Sequence, residues 1–441
     1  MKQSDFNDKY ENLTRIQKKA LKEFLAGKSD EAIVEQLKVT ERSTVSKHLN
    51  NICIHFGLKN QDDKHSRCRQ ELVELFAEYK PDLINSEVLK RFNCQTPARG
   101  ELEFPEGPLA LDSPFYVERP SIESQCYEAI VQPGALIRIK APMQMGKTSL
   151  LYRILNSAAK QGASRTVELN LRLADESVLS SLERFLRSFC ASVGGQLGLT
   201  NRLKEYWDED LSSNSNCTAY FEKYLLPGID TPMTLGLDEV DHIFPYPKIA
   251  PDFFGLLRTW HNYAKHRHIW KQLQLVLAHS TEVYIQLDIN RSPFNVGLPI
   301  ELSEFNPEQV QDLAKRHGLK WTGGQEALAL MDMVGGHPYL VRLALYDLGY
   351  QEIALEQLLQ KAPTESGIYS DHLRGHLGEI EERPKLRDAM RQVIIATEPV
   401  QLEARQAFQL LSMGLVQPKG NGMIPRCKLY RQYFRDRLEV K

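Results

Sequence analysis

No apolar run in the sequence approaches the roughly 18–20 residues that a bilayer-spanning helix requires, so no membrane span is expected. The first residues, Met1-Lys2-Gln3-Ser4-Asp5-Phe6, are polar and lack the apolar core of a secretory leader. Cysteine is sparse and unpaired by spacing. Cys53, Cys68, Cys94, Cys126, Cys190, Cys217 and Cys427 are odd in number, with no CxxC, which argues against a zinc site or a disulfide framework and for a reduced, cytoplasmic compartment. Charge bias is absent too: the net charge is −2, so any nucleic-acid contact has to come from a local patch. Internal repeats and low-complexity blocks are missing as well. What remains is 441 residues of ordinary globular composition, 42% hydrophobic and 25% charged, long enough for two to four domains.

Residues 11–58 read as short amphipathic helices joined by tight turns. Helical spacing continues over 66–92 through Leu72, Leu75, Phe76, Leu83, Ile84 and Leu89. A stretch rich in Pro and Gly, from Thr96-Pro97-Ala98-Arg99-Gly100 to Pro105-Glu106-Gly107-Pro108, breaks the pattern and predicts a linker over 93–108. From about residue 109 strands alternate with helices. Strands are expected at 135–140, 165–171, 233–237 and 273–278, and helices at 147–159, 177–195 and 251–266. This alternation predicts a parallel sheet covered on both faces. After Pro307 the pattern turns helical, and 386–437 closes with a small helix–strand pattern. The expected divisions are 1–92, 93–108, 109–306, 307–375 and 376–441.

Ala141-Pro142-Met143-Gln144-Met145-Gly146-Lys147-Thr148 follows the expected strand and opens the expected helix, the context of a phosphate-cradling loop. Gly146 lets the backbone close on phosphates, and Gln144, Met145 and Ser149 complete the cradle. Lys147 would reach the β- and γ-phosphates, and the Thr148 hydroxyl would ligate Mg²⁺. Ala141 stands where such loops carry a glycine; a positive φ there would cost about 1 kcal/mol. The strand at 233–237 runs into Asp238-Glu239. Asp238 would hold Mg²⁺ through water, and Glu239 would polarise the attacking water. Asp241 and His242 read as a solvated loop. The cofactors implied are ATP and Mg²⁺.

Together these residues resemble the AAA-like NTPases of the STAND and origin-recognition branch over most of 109–441. Phe115-Tyr116-Val117-Glu118-Arg119 is similar to that group's "FVGR-E" segment, which implies that Val117 and Arg119 belong to the adenine pocket, although Glu118 replaces a glycine. The resemblance implies that Ser280 or Thr281, at the next strand tip, touches the γ-phosphate. Gly335-Gly336-His337-Pro338-Tyr339-Leu340 resembles the GxP motif, which puts Pro338 on the base and His337 near the phosphates. Residues 307–375 would be a helical lid and 376–441 a winged helix, its helix at 407–415 and its wing turning at Gly420-Asn421-Gly422. The resemblance further implies a switch that closes on ADP and forms a homo-oligomer with ATP. Arg291 is one candidate for a cation given to a neighbouring subunit, a plain surface arginine being the simpler reading.

Residues 13–58 resemble a LuxR/GerE-type helix-turn-helix. The matching segments are Gly27-Lys28-Ser29-Asp30-Glu31-Ala32-Ile33, Leu37-Lys38-Val39-Thr40, Ser43 through Ile52, and Phe56-Gly57-Leu58. Leu37, Val45, Leu49 and Ile52 form an apolar stripe. Ser46, Lys47 and Asn50 fall on the opposite face, suited to base edges, and Arg42 and Thr44 suit phosphates. The fold expected is therefore an α/β P-loop NTPase with an all-α helix-turn-helix domain in front and a helical lid plus winged helix behind. Its leading function is that of an ATP-dependent, DNA-binding regulator. Two alternatives are a STAND-like signalling scaffold whose helical modules bind proteins, and an ATPase that loads onto DNA in transposition or replication.

Overall fold

A computed structural model describes residues 3–37, 42–58, 102–280, 293–351 and 353–438, and individual positions between 69 and 88. The chain forms two compact units, 1–103 and 104–441. Thr281, Arg291, most of the expected linker and the Lys38-Val39-Thr40 turn lie outside the described residues. Among the described residues no helix is long and apolar enough to cross a membrane.

The first unit is helical: α1 Gln3–Glu11, α2 Arg15–Leu25, α3 Asp30–Leu37 and α4 Arg42–Phe56. Thr14 starts α2 with a reciprocal cap, accepting from the Gln17 N–H while its own N–H donates to Gln17 Oε1. Gly27, at φ 90°, turns the chain toward α3. Val45, Leu49 and Ile52 of α4 pack with Leu21, Phe24, Ile33 and Phe76 in one core, and Leu37 is partly buried at its edge. Cys53 of α4 is disulfide-bonded, contrary to the expectation from cysteine spacing.

The second unit is built on a five-stranded, all-parallel sheet of order β2-β3-β4-β1-β5, with β1 Leu136–Lys140, β2 Arg165–Asn170, β3 Met233–Asp238, β4 Leu273–His279 and β5 Leu298–Glu301. Alternation along the strands feeds two cores. Leu136, Leu235, Leu237, Leu275 and Leu277 join one that contains Phe253 and Trp260. Ile137, Ile139, Val276, Ala278 and Ile300 join the other, with Cys126 and Ile130 of α5 (Pro120–Ile130) and Leu150, Leu151 and Ile154 of α6 (Lys147–Gln161). Gly236 lets α6 lie close: a Cβ there would meet Leu151 Cδ1 at 3.0 Å. The opposite face carries α7 (Leu182–Gln196), α8 (Ser213–Tyr220) and α9 (Ala250–Tyr263). β5, which the sequence did not suggest, is a four-residue edge strand containing Pro299, where a missing N–H is tolerated.

Behind the sheet come α10 (Pro307–Arg316), α11 (Gln325–Val334), α12 (Pro338–Gln351), α13 (Leu355–Lys361), α14 (Ser370–Glu381), α15 (Pro384–Ile395), α16 (Ala404–Ser412), a hairpin of β6 (Val416–Lys419) and β7 (Gly422–Pro425), and α17 (Lys428–Arg437). Gly420, at φ 60°, opens the two-residue hairpin turn, and Val400 bridges to Met423. Helix α14 runs through the 375/376 division, and the second unit begins at Phe104, because 104–108 packs onto that unit instead of linking domains.

Candidate functional site

A parallel sheet leaves ligands a crevice at the C-terminal ends of its strands. Here β4 is inserted between β1 and β3, so the loop after β1 and the acidic pair after β3 face each other across the β4 tip. The cavity there has a volume of about 660 Å³. Its walls include Val117, Arg119, Gln144 to Ser149, Asp238, Glu239, Ser280 and Pro338, which brings together nearly all of the expected residues. Ala141 lies buried at the foot of the loop, its N–H directed to the His279 carbonyl.

The loop's left-handed residues are Gln144, at φ 59°, and Gly146, at φ 96°, which is the N-cap of α6. Ala141 does not have a positive φ, so its replacement of glycine carries no strain. Lys147 is buried, and Nζ donates to the Pro142 carbonyl at 2.9 Å. Burial pushes the lysine pKa down while Asp241, Glu239 and Asp238 pull it up. Thr148 Oγ1 donates to Asp238 Oδ2 at 2.7 Å. A hydroxyl and a carboxylate thus meet at one point, the donor set that a magnesium ion shares with phosphate oxygens. Among the described residues no cluster of three His, Cys, Asp or Glu could hold a metal by itself. Thr148 and Asp238 are the residues that fit the protein's share of such a site.

Glu239 has φ 52°, rare for a side chain of this size, and its N–H donates to Asp238 Oδ1 at 3.0 Å. Its carboxyl is pushed up chiefly by burial, then by Asp241, while Arg172 holds it down. Asp241 is more than solvated loop: its carboxylate accepts the Ser280 N–H at 2.8 Å and fixes the β4 tip. Arg119 braces the loop from beneath. It reaches the Ser303 and Met145 carbonyls and lies over the Phe305 ring. Ser149 Oγ accepts the Leu109 N–H, and Arg153 donates to the Leu109 and Ala110 carbonyls, so the 104–110 segment is strapped to α6 as a cavity wall.

His337 is not among the cavity-lining residues, contrary to expectation. It is buried behind the loop, against the Met143 backbone and Gly414. The Met143 N–H donates to the Ser412 carbonyl at 3.0 Å, joining the loop to the end of α16. Beside it, Glu304 accepts from both the Gly336 N–H at 3.0 Å and Arg426 Nη1 at 2.8 Å. Lys428 also pairs with Asp332. The C-terminal helices and hairpin are therefore locked to the loop and to the turn before α12.

Sequence reasoning missed Asn170 at the end of β2, Arg172 just beyond it, Tyr116, and Tyr339 and Arg342 of α12, all of which line the cavity. Arg342 sits one helical turn after Pro338, a spacing that could have flagged it.

In the first unit, Lys47 is exposed, whereas Ser46 and Asn50 are half-buried. Ser46 Oγ accepts from Arg69, which also grips the buried Asp30 through both nitrogens. Thr44 is half-buried, and the Arg42 side chain lies outside the described residues.

The inserted-strand parallel sheet, the left-handed loop at a helix start and the meeting of Thr148 with Asp238 define a P-loop ATPase fold. The profile of the AAA-like domain family matches residues 104–436, and the chain belongs to that family. Among solved structures, the Walker-type ATPase PABY2304 of Pyrococcus abyssi is similar at 13% identity and a TM-score of 0.53, covering 73% of this chain and 96% of that one. The ORC2 protein of Aeropyrum pernix, solved as ADPNP and ADP complexes, matches at 15% identity and a TM-score of 0.42, covering 77% and 96%. Cdc6p of Pyrobaculum aerophilum matches at 16% identity and a TM-score of 0.40, covering 74% and 98%. No curated protein matches the sequence.

Proposed function

We propose that the chain is a cytoplasmic ATP-binding switch of low turnover whose nucleotide state controls assembly into a homo-oligomer and binding to duplex DNA. The supporting observation is the joint between the phosphate loop and the C-terminal module. A ligand that reshapes 142–146 acts on the Met143 N–H, and through it on Ser412. On this reading Gly146 and its neighbours cradle the phosphates, Lys147 pairs with the β- and γ-oxygens, and Val117 and Pro338 flank the base. Thr148 and Asp238 hold Mg²⁺, which when bound neutralises phosphate charge. Glu239 polarises water, and Ser280 senses the γ-phosphate. Residues 376–441 act as a winged helix, and 13–58 as a helix-turn-helix that uses Arg42, Thr44, Ser46, Lys47 and Asn50 on DNA.

One observation favours a second reading, in which the N-terminal unit binds a protein partner: Ser46 is already engaged by Arg69. Fluorescence anisotropy on a selected duplex library, with and without ATP at two salt concentrations, separates the two. A DNA-binding switch gives affinity that falls with salt and rises with ATP. Absence of salt-dependent affinity in either nucleotide state leaves the protein-binding reading.

A further inference from the structure

We propose that Arg172 is a catalytic residue, a cation supplied by the same chain to the γ-phosphate oxygens during hydrolysis. The inference rests on the ATP reading of the site.

The placement follows from register. Asn170, the last residue of β2, is the Cα partner of Asp238. The chain then turns at once through Leu171–Leu173, with Leu171 buried and Asn170 Oδ1 accepting the Arg172 N–H at 2.9 Å. That turn packs on the one at Val240–Ile243, which follows Glu239. Arg172 is therefore anchored by its backbone beside the acidic pair, with an exposed side chain on the cavity wall.

Among the described residues four cations line the cavity, Arg119, Lys147, Arg172 and Arg342. Arg119 is spent on carbonyls and the Phe305 ring. Lys147 is held at the loop, and Arg342 is buried over the Phe115 ring. The Arg172 guanidinium, by contrast, has no hydrogen-bond or ion-pair partner among the described residues. An anchored backbone carrying an uncommitted guanidinium at the phosphate end is what a γ-phosphate contact requires.

In the step itself a water oxygen bonds to the γ-phosphorus while the bond from that phosphorus to the β–γ bridging oxygen breaks, releasing ADP. One water proton passes to Glu239 and then to solvent, and the other stays on the phosphate. Negative charge spreads over the three γ-oxygens in between, and Arg172 N–H groups donate to them. Such an arginine contributes about 10³–10⁵ in rate where it has been measured.

The test is single-turnover ATP hydrolysis by the full chain as wild type, Arg172→Ala and Arg172→Lys, with ADP affinity measured in parallel by calorimetry. The alanine variant should lose about 10³-fold in rate, the lysine variant should keep part of it, and ADP affinity should move less than about twofold. Because the side chain is exposed and uncommitted, melting temperature should not move. Rates within about threefold of wild type for both variants overturn the proposal, as does a wild type that binds ATP without hydrolysing it. So does rescue of Arg172→Ala by mixing with Lys147→Ala subunits, which would show that the arginine acts on a neighbour. A wild type that binds no nucleotide is a different failure, that of the underlying reading.

Discussion

Arg426→Ala should release the C-terminal module from the nucleotide site and speed nucleotide dissociation about 10- to 100-fold. Arg426 Nη1 and Glu304 Oε1 are 2.8 Å apart, with side-chain exposures of 9% and 29%. Removing one partner of a fully buried pair costs about 3–5 kcal/mol. Glu304 is partly solvated and would keep the Gly336 N–H, so the loss here falls to about 1.5–3 kcal/mol. At about 1.4 kcal/mol per tenfold, that moves the closed-to-open equilibrium of the joint by one to two orders of magnitude. The assay is a stopped-flow chase of a fluorescent ADP analogue, with thermal denaturation alongside. If release stays within about twofold of wild type while the melting temperature falls, the joint contributes stability only and the coupling argument is wrong.

Two further outcomes are expected. Glu239→Gln keeps the shape of the site but loses its carboxylate, so ATP should bind normally and turn over at least about tenfold more slowly; undiminished turnover would remove Glu239 from its role. The buried His337 and His376 and the half-buried His372, beside the joint, should make the protein acid-sensitive. Burial holds His337 at about 3, His372 at about 2 and His376 at about 4; Arg426 and His376 add to the depression of His337, and His376 and His337 to that of His372. His372 also shares a hydrogen bond with the Tyr430 hydroxyl. Native histidines thus stay neutral while unfolded ones protonate near 6.5. Their stabilisation is present above that pH and is lost below it, at about 1.4 kcal/mol per pH unit for each. Urea denaturation at pH 7.5, 6.0 and 5.0 should show that decline, and a flat profile would contradict it.

The phosphate loop and the acidic pair were legible because their chemistry is local. A glycine, a lysine and a hydroxyl occupy consecutive positions shortly after a strand, and Asp238-Glu239 ends an apolar-leaning run. Arg172 was not legible, since only the pairing of Asn170 with Asp238 brings that turn to the cavity. The same holds for the strap at 104–110, whose Pro and Gly read as a linker until Arg153 and Ser149 are seen to hold it. His337 was misplaced because a motif fixes spacing and not which side of the loop a ring occupies. Strand β5 was hidden by its length and its proline.

The most direct test of the central claim is calorimetric titration of the wild type and Lys147→Ala with ATP in the presence of Mg²⁺. Lys147 is the one side-chain cation within the loop itself, and charge-assisted bonds to phosphate are among the strongest a side chain makes. The account predicts saturable, magnesium-dependent binding by the wild type and none by the variant. Equal affinity in the two proteins would contradict it.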